Sequence, residues 1–295
     1  MITVMGATGH TGRKVTEILL HAGERVRALG RSEARLAELE RAGAEVLAGD
    51  ALDAAYLTRA FRGADAVFTL LPPDLQAADY RAAQDRVSTA ITTAIRDSGV
   101  RWVVVLSSLG AELADGTGPI VTLHDYEQRL KQLENVNVLV LRPGYFFENF
   151  EESLDLIRQH GINANAVDAD VTMPMIATRD IANVAAAALR TRDWQGIVVR
   201  ELLGQRDLTF AEVTRILGTR LGKPDLPYVR MTYEDLTATL VQTGLSADVA
   251  HTYAQLLRAL NEGLVKSLDG RTAANTTPTR FEEFAEELAE EFARA

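Results

Sequence analysis

Gly6-Ala7-Thr8-Gly9-His10-Thr11-Gly12 is the segment best suited to chemistry, with a glycine at every third position. It follows the apolar run Ile2-Thr3-Val4-Met5 and opens an amphipathic stretch from Arg13 to Ala22. A strand-to-helix turn of this kind is suited to holding a pyrophosphate. The first glycine makes the tight turn, the second lets backbone approach the phosphates, and the third lets helix and strand pack closely. The helix N-terminus then offers free N–H groups and the positive end of its dipole to the anion. The spacing is GxxGxxG rather than GxGxxG, so a turn kept only for packing is the plainer alternative.

The residue closing the second apolar run selects the cofactor. An acidic residue about 20 positions past the loop holds the ribose hydroxyls of NAD, whereas an arginine suits the 2′-phosphate of NADP. Nineteen residues beyond Gly12 stands Arg31, and no carboxylate follows until Glu33. A planar, forked guanidinium matches a phosphate. The expected cofactor is therefore NADP(H). Around it would stand Gly6, Ala7, Thr8, Gly9, His10, Thr11, Gly12 and Arg31, with Arg13 assisting from the helix start. A solvated surface arginine is the alternative for Arg31.

The elements that must position these residues alternate along the first half of the chain. Apolar runs at 2–5, 25–29, 45–47, 66–71, 102–106 and 136–141 are separated by helical patterns at 13–22, 33–41, 54–61, 76–97 and 123–133. Ser32 is placed to cap the second of these helices. Strands that are apolar throughout are buried on both faces, and β–α alternation implies parallel pairing with right-handed crossovers. The expected fold is α/β. A doubly wound parallel sheet occupies residues 1–150, and a smaller, mainly helical lobe occupies 151–295, with some segments returning to the sheet domain. Helical patterns at 209–221, 232–243, 247–263 and 281–293 dominate that second part.

Ligands of open α/β sheets bind outside the carboxyl ends of the strands. Ser107 and Ser108 end the fifth strand there. They contact nicotinamide (Ser107) and substrate (Ser108), or else cap a loop. Tyr145, Phe146 and Phe147 follow the sixth strand, where they either wall an apolar pocket for a flat substrate or pack between lobes. The final pattern sets Phe281, Phe284, Leu288 and Phe292 on one helical face. Packing on the second lobe is the simplest reading, and a homodimer or a regulatory protein partner is left open.

Taken together, these residues resemble the NmrA-like family of atypical short-chain dehydrogenases. The resemblance runs over nearly the whole chain. Beyond the glycine loop and Arg31 it rests on Gly49-Asp50, on Leu141-Arg142-Pro143-Gly144-Tyr145-Phe146-Phe147-Glu148-Asn149, on Thr178-Arg179-Asp180-Ile181-Ala182 and on Leu208-Thr209-Phe210-Ala211-Glu212-Val213. It implies an NADP-binding Rossmann domain with a C-terminal lobe closing over a cleft, and activities among quinone, azo-dye and isoflavone-type reductases or non-catalytic redox sensors. It also puts Leu71 and Pro72 near the adenosine ribose or pyrophosphate, and Asn149 at the substrate pocket. Isoflavone-type reductases carry a lysine about nineteen residues before the end of the sixth strand. Counting back from Pro143 gives His124, a residue type able to donate a proton near neutrality. His124 is thus the candidate acid, with a helix-start polar contact as its plainer role.

One departure bears on mechanism. The best-known short-chain dehydrogenases use a tyrosine with a lysine four residues on. The residues four beyond the seven tyrosines are Ala60, Gln84, Leu130, Asn149, Thr232, Thr237 and Leu257. None is lysine. A quinone needs little acid catalysis, so a reductase of a small planar electrophile fits this absence, while a nucleotide-sugar epimerase fits it poorly.

Composition removes other classes. There is no cysteine, and the five histidines are scattered, which argues against thiolate chemistry and metal sites. A formal charge of −10 argues against nucleic acid as a partner. No apolar run approaches the ~18 residues of a membrane span, and no secretion signal opens the chain. The expectation is a cytoplasmic enzyme acting on a small molecule.

Overall fold

The computed structural model describes residues 1–294. The chain begins β1 (Ile2–Val4), α1 (His10–His21), β2 (Val26–Gly30), α2 (Glu33–Arg41), β3 (Glu45–Ala48), α3 (Ala54–Phe61), β4 (Ala66–Thr69), α4 (Tyr80–Ser98), β5 (Trp102–Leu106), α5 (Ile120–Leu130) and β6 (Asn137–Pro143). It continues through β7 (Tyr145–Phe146), a 3₁₀ turn (Phe147–Phe150), α6 (Ser153–His160), β8 (Asn163–Asn165), β9 (Met173–Ile176), α7 (Thr178–Thr191) and β10 (Ile197–Leu202). Last come β11 (Asp207–Leu208), α8 (Phe210–Arg220), β12 (Tyr228–Arg230), α9 (Tyr233–Gln242), α10 (Ala247–Asn261) and α11 (Phe281–Arg294).

The central sheet has seven strands in the order β10-β6-β5-β4-β1-β2-β3, every neighbouring pair parallel. The strand order reverses between β1 and β4, which makes that carboxyl edge the place for a ligand. Val4, Phe68, Val104 and Leu141 belong to the core on one face, where α1 and α7 pack side by side. Val67, Val103 and Val140 belong to the core on the other, beneath α3, α4 and α5. A third core holds the lobe made by α8 to α11, with Phe147, Phe150, Phe210, Phe281 and Phe284 at its centre.

The structure moves the bounds of α1, β4, α4 and α5 and adds strands. α4 starts at Tyr80 rather than at 76, because Asp79 caps it by accepting from the Ala82 N–H at 2.8 Å. α5 spans Ile120–Leu130 instead of 123–133. β10, a seventh strand, pairs with β6 at the sheet edge. Two small sheets, β11-β9-β7 and β12-β8, tie the lobe together. The apolar face of α11 is buried within that lobe, while Glu282, Glu286 and Glu287 on its flank pair with Arg206, Arg220 and Arg179. No helix among the described residues is long and apolar enough to cross a membrane.

Candidate functional site

The glycine turn leaves β1 at its carboxyl end. Gly6 has φ +64°, a backbone region that a Cβ makes costly. A Cβ on Gly12 would come within 2.3 Å of the Gly6 carbonyl oxygen, so α1 sits this close to the turn only because Gly12 has none. Gly9 is different. It has φ −98°, and a Cβ there would meet nothing nearer than the Gly6 oxygen at 3.5 Å. Its open side faces a cleft. As the N-cap of α1, Gly9 supplies no side chain to the first turn, and no acidic residue stands in that turn. The leading N–H groups of the helix are thus left for an anion.

The cleft is about 810 Å³ and runs along the carboxyl edge of the sheet. Toward β2 and β3 it is lined by Gly30, Arg31, Arg35, Asp50 and Leu52. Arg31 is exposed and makes no hydrogen bond or ion pair among the described residues. Arg35 donates to the Thr8 carbonyl at 2.9 Å, bracing the glycine turn. Toward β5 and β6 the lining turns apolar, with Ile120, Leu123, Tyr145, Phe146, Leu256 and Val265. Gly6, Thr8, Gly9, His10, Thr11, Gly12, Leu71, Pro72, Ser107, Ser108 and Asn149 also face this one space.

Four residues expected at the site lie elsewhere. Ala7 is fully buried, and its N–H donates to the Leu29 carbonyl at 3.0 Å, so it anchors the turn without reaching the cleft. Arg13 is committed to Glu17 at 2.8 Å and Glu38 at 2.6 Å. Phe147 is buried edge-on to Phe281 with centroids 5.0 Å apart, in the lobe core rather than the pocket wall. His124 does not line the cleft. Its ring Nδ1 lies 3.0 Å from the Ala111 carbonyl, while Ile120 and Leu123 of the same helix line the cleft. Tyr126 is fully buried, its hydroxyl 2.9 Å from Thr69 Oγ1, and burial pushes its pKa up.

Beneath the apolar end sits a buried ionic network. Ser107 Oγ donates to Glu127 Oε1 at 2.6 Å, and Arg142 reaches both oxygens of Glu127, at 3.0 and 2.6 Å. Arg142 also meets Glu112 at 3.0 Å. The network fixes the carboxyl ends of β5 and β6 and orients Ser107. Glu127→Leu strands a buried guanidinium and should cost about 3–5 kcal/mol of stability, read by urea unfolding. A loss below about 1 kcal/mol, the size of an exposed pair, would mean that Glu112 alone satisfies Arg142.

The far wall is α10. Ser246 Oγ donates to the Ala77 carbonyl at 2.6 Å, and Asp248 accepts from the Tyr80 N–H at 2.7 Å. On the other flank Gly118 has φ +59°, and a Cβ there would fall 2.3 Å from the Thr252 carbonyl oxygen. These contacts pin α10 across the cleft and set Tyr253, Leu256 and Leu260 against the sheet edge. Sequence reasoning missed this wall, along with Arg35 and Asp50. The only local signal was the apolar spacing of 253, 256, 257 and 260, which reads equally as lobe core.

The sequence profile of the NmrA-like family matches residues 1–285. The chain belongs to the NmrA-like family. Among relatives within or close to it, an NAD(P)H azoreductase of Xenophilus azovorans is 29% identical with 100% of each chain covered. A (4-alkanoyl-5-oxo-2,5-dihydrofuran-3-yl)methyl phosphate reductase of Streptomyces griseus is 31% identical with 99% of each covered. In structure, this NmrA-like chain superposes on an Escherichia coli NADPH-dependent quinone oxidoreductase complexed with NADPH with a TM-score of 0.79, at 24% identity, covering 100% of this chain and 99% of that one.

Proposed function

We propose that the protein is an NADPH-dependent reductase of a small, planar, electrophilic acceptor such as a quinone or an azo compound. The observation that carries the reading is one continuous cleft. Its one end joins the uncapped N-terminus of α1 to the unpaired Arg31, and its other end is an apolar slot at β5 and β6. The residues present fit a dinucleotide. Gly9 opens toward the space a pyrophosphate needs, and Arg31 pairs with no carboxylate among the described residues. The full-length azoreductase and dihydrofuran phosphate reductase relatives support the same reaction class. NADPH supplies a hydride from its nicotinamide. The protein's part is to bind the pyrophosphate at Gly6–Gly12, hold the 2′-phosphate with Arg31, and present the acceptor in a dry slot.

Acid catalysis by His124 has no geometric support, and Tyr126 is sealed in the core. Tyr126→Phe and His124→Ala should each change turnover of 1,4-naphthoquinone less than about threefold, against the ~10²–10⁴-fold of a true general acid. A hundredfold loss in either variant, with NADPH affinity intact, would restore that residue to the mechanism. The direct test of the reading is loss of nicotinamide absorbance when purified protein, NADPH and 1,4-naphthoquinone or methyl red are mixed. Turnover is the expected result. Tight NADPH binding with no turnover of either acceptor would instead favour a redox sensor.

A further inference from the structure

The seven tyrosines divide by what their hydroxyls do. Tyr56 donates to the Leu47 carbonyl at 2.7 Å, and Tyr228 to the Val167 carbonyl at 2.6 Å. Tyr126 meets Thr69, and Tyr233 accepts from Asn261 at 2.7 Å. Those four are satisfied inside the protein. The remaining three, Tyr80, Tyr145 and Tyr253, all line the cleft. The hydroxyls of Tyr80 and Tyr253 have no hydrogen-bond partner among the described residues, and that of Tyr145 has only the exposed Asn149 side chain beside it. None of the three hydroxyls is among the fully sealed, unpartnered atoms of the described residues.

The three come from distant parts of the chain: the first residue of α4, β7, and the middle of α10. They converge because Asp248 and Ser246 dock α10 onto the start of α4. Tyr253 shares the cleft lining with both, and its charge would raise the pKa of each. Burial raises all three first, and the carboxylates facing them, Asp74 toward Tyr80 and Glu152 toward Tyr145 and Tyr253, raise them further. They are therefore neutral O–H donors at neutral pH. A donor left unmade in a partly dry site is costly, and a ligand acceptor removes that cost.

We propose that Tyr253, with Tyr80 and Tyr145 around it, donates the hydrogen bond that anchors the oxygen or nitrogen of an uncharged acceptor in the apolar end of the cleft. The proposal rests on the reductase reading and names its specificity element. As the hydride reaches one atom of the reduced bond, the negative charge developing on the heteroatom is stabilised by the phenolic O–H, and that heteroatom takes its proton from solvent. The anchor thus selects a carbonyl or azo group over an apolar ring of the same shape.

The test is binding to the NADP⁺-loaded protein, where no hydride is available. By calorimetry, Tyr253→Phe should weaken 1,4-naphthoquinone about three- to tenfold, the worth of one neutral hydrogen bond, while leaving naphthalene and NADP⁺ affinity unchanged. Equal quinone affinity in wild type and Tyr253→Phe overturns the proposal, and so does parallel loss of quinone and naphthalene, which marks a packing defect. Failure of the reductase reading registers separately, as absence of NADPH oxidation by a wild type that still binds the quinone.

Discussion

Gly9→Val is expected to fold like the parent and to lose NADPH binding altogether. The glycines of the turn look equivalent in sequence, but their surroundings are not. At Gly12 an added Cβ collides with backbone at 2.3 Å, and at Gly6 the φ of +64° is itself unfavourable for a side chain. Substitution at either damages the fold. At Gly9 the backbone is extended, and the nearest protein atom to a new Cβ is at an ordinary 3.5 Å. The protein tolerates the side chain, and the ligand does not, because valine fills the space a pyrophosphate needs against the N–H groups of α1. Circular dichroism and thermal unfolding should match the wild type, while fluorescence titration shows no NADPH saturation. A folded variant that binds NADPH normally would mean that the phosphates lie elsewhere in the cleft. Gly12→Ala supplies the contrast, losing stability as well as binding.

That contrast bears on how much was legible beforehand. The strands β1 to β6 read clearly because each is an apolar run buried on both faces, and the glycine turn and Arg31 lie within one short β–α–β stretch. β10 escaped notice because it is an edge strand. Ile197 and Val199 face solvent, and Arg200 and Glu201 interrupt the run, so nothing in Ile197–Leu202 marks a buried element. The start of α4 was misplaced because Asp74 and Asp79 are both good N-caps, and only the fold shows which one the helix uses.

The far wall of the cleft was illegible for a different reason. The contact that sets α10 against α4 joins residues 168 apart in sequence, so no local pattern reports it. The motif around Arg179-Asp180 likewise turned out to be a clamp: Asp180 accepts from the Thr279 N–H at 3.0 Å and from its hydroxyl at 2.7 Å, holding the approach to α11. His124 failed through counting. A spacing carried over from relatives reaches α5 but does not report what the ring bonds to. Ile120 and Leu123 take the cleft side, and His124 is spent on a carbonyl.

NADPH should bind this protein about ten- to a hundredfold more tightly than NADH, the worth of one charge-assisted phosphate contact at about 1.5–3 kcal/mol. Arg31 is the group that makes the difference. It follows β2 beside the glycine turn, lies exposed on the cleft, and pairs with no carboxylate among the described residues; Arg13 and Arg27 are each held by glutamates. A free guanidinium there has no ion pair to break before it turns onto a phosphate, and its fork matches phosphate oxygens. Arg31→Ala should therefore weaken NADPH by that factor and leave NADH unchanged, as measured by calorimetry with both cofactors. Arg35→Ala should behave differently. Its guanidinium already braces the Thr8 carbonyl, so its removal loosens the turn that both cofactors share and should weaken both together. Equal wild-type affinities for NADPH and NADH would remove the 2′-phosphate from Arg31. If Arg35→Ala alone abolished the preference, the phosphate contact would belong to α2 instead of the end of β2.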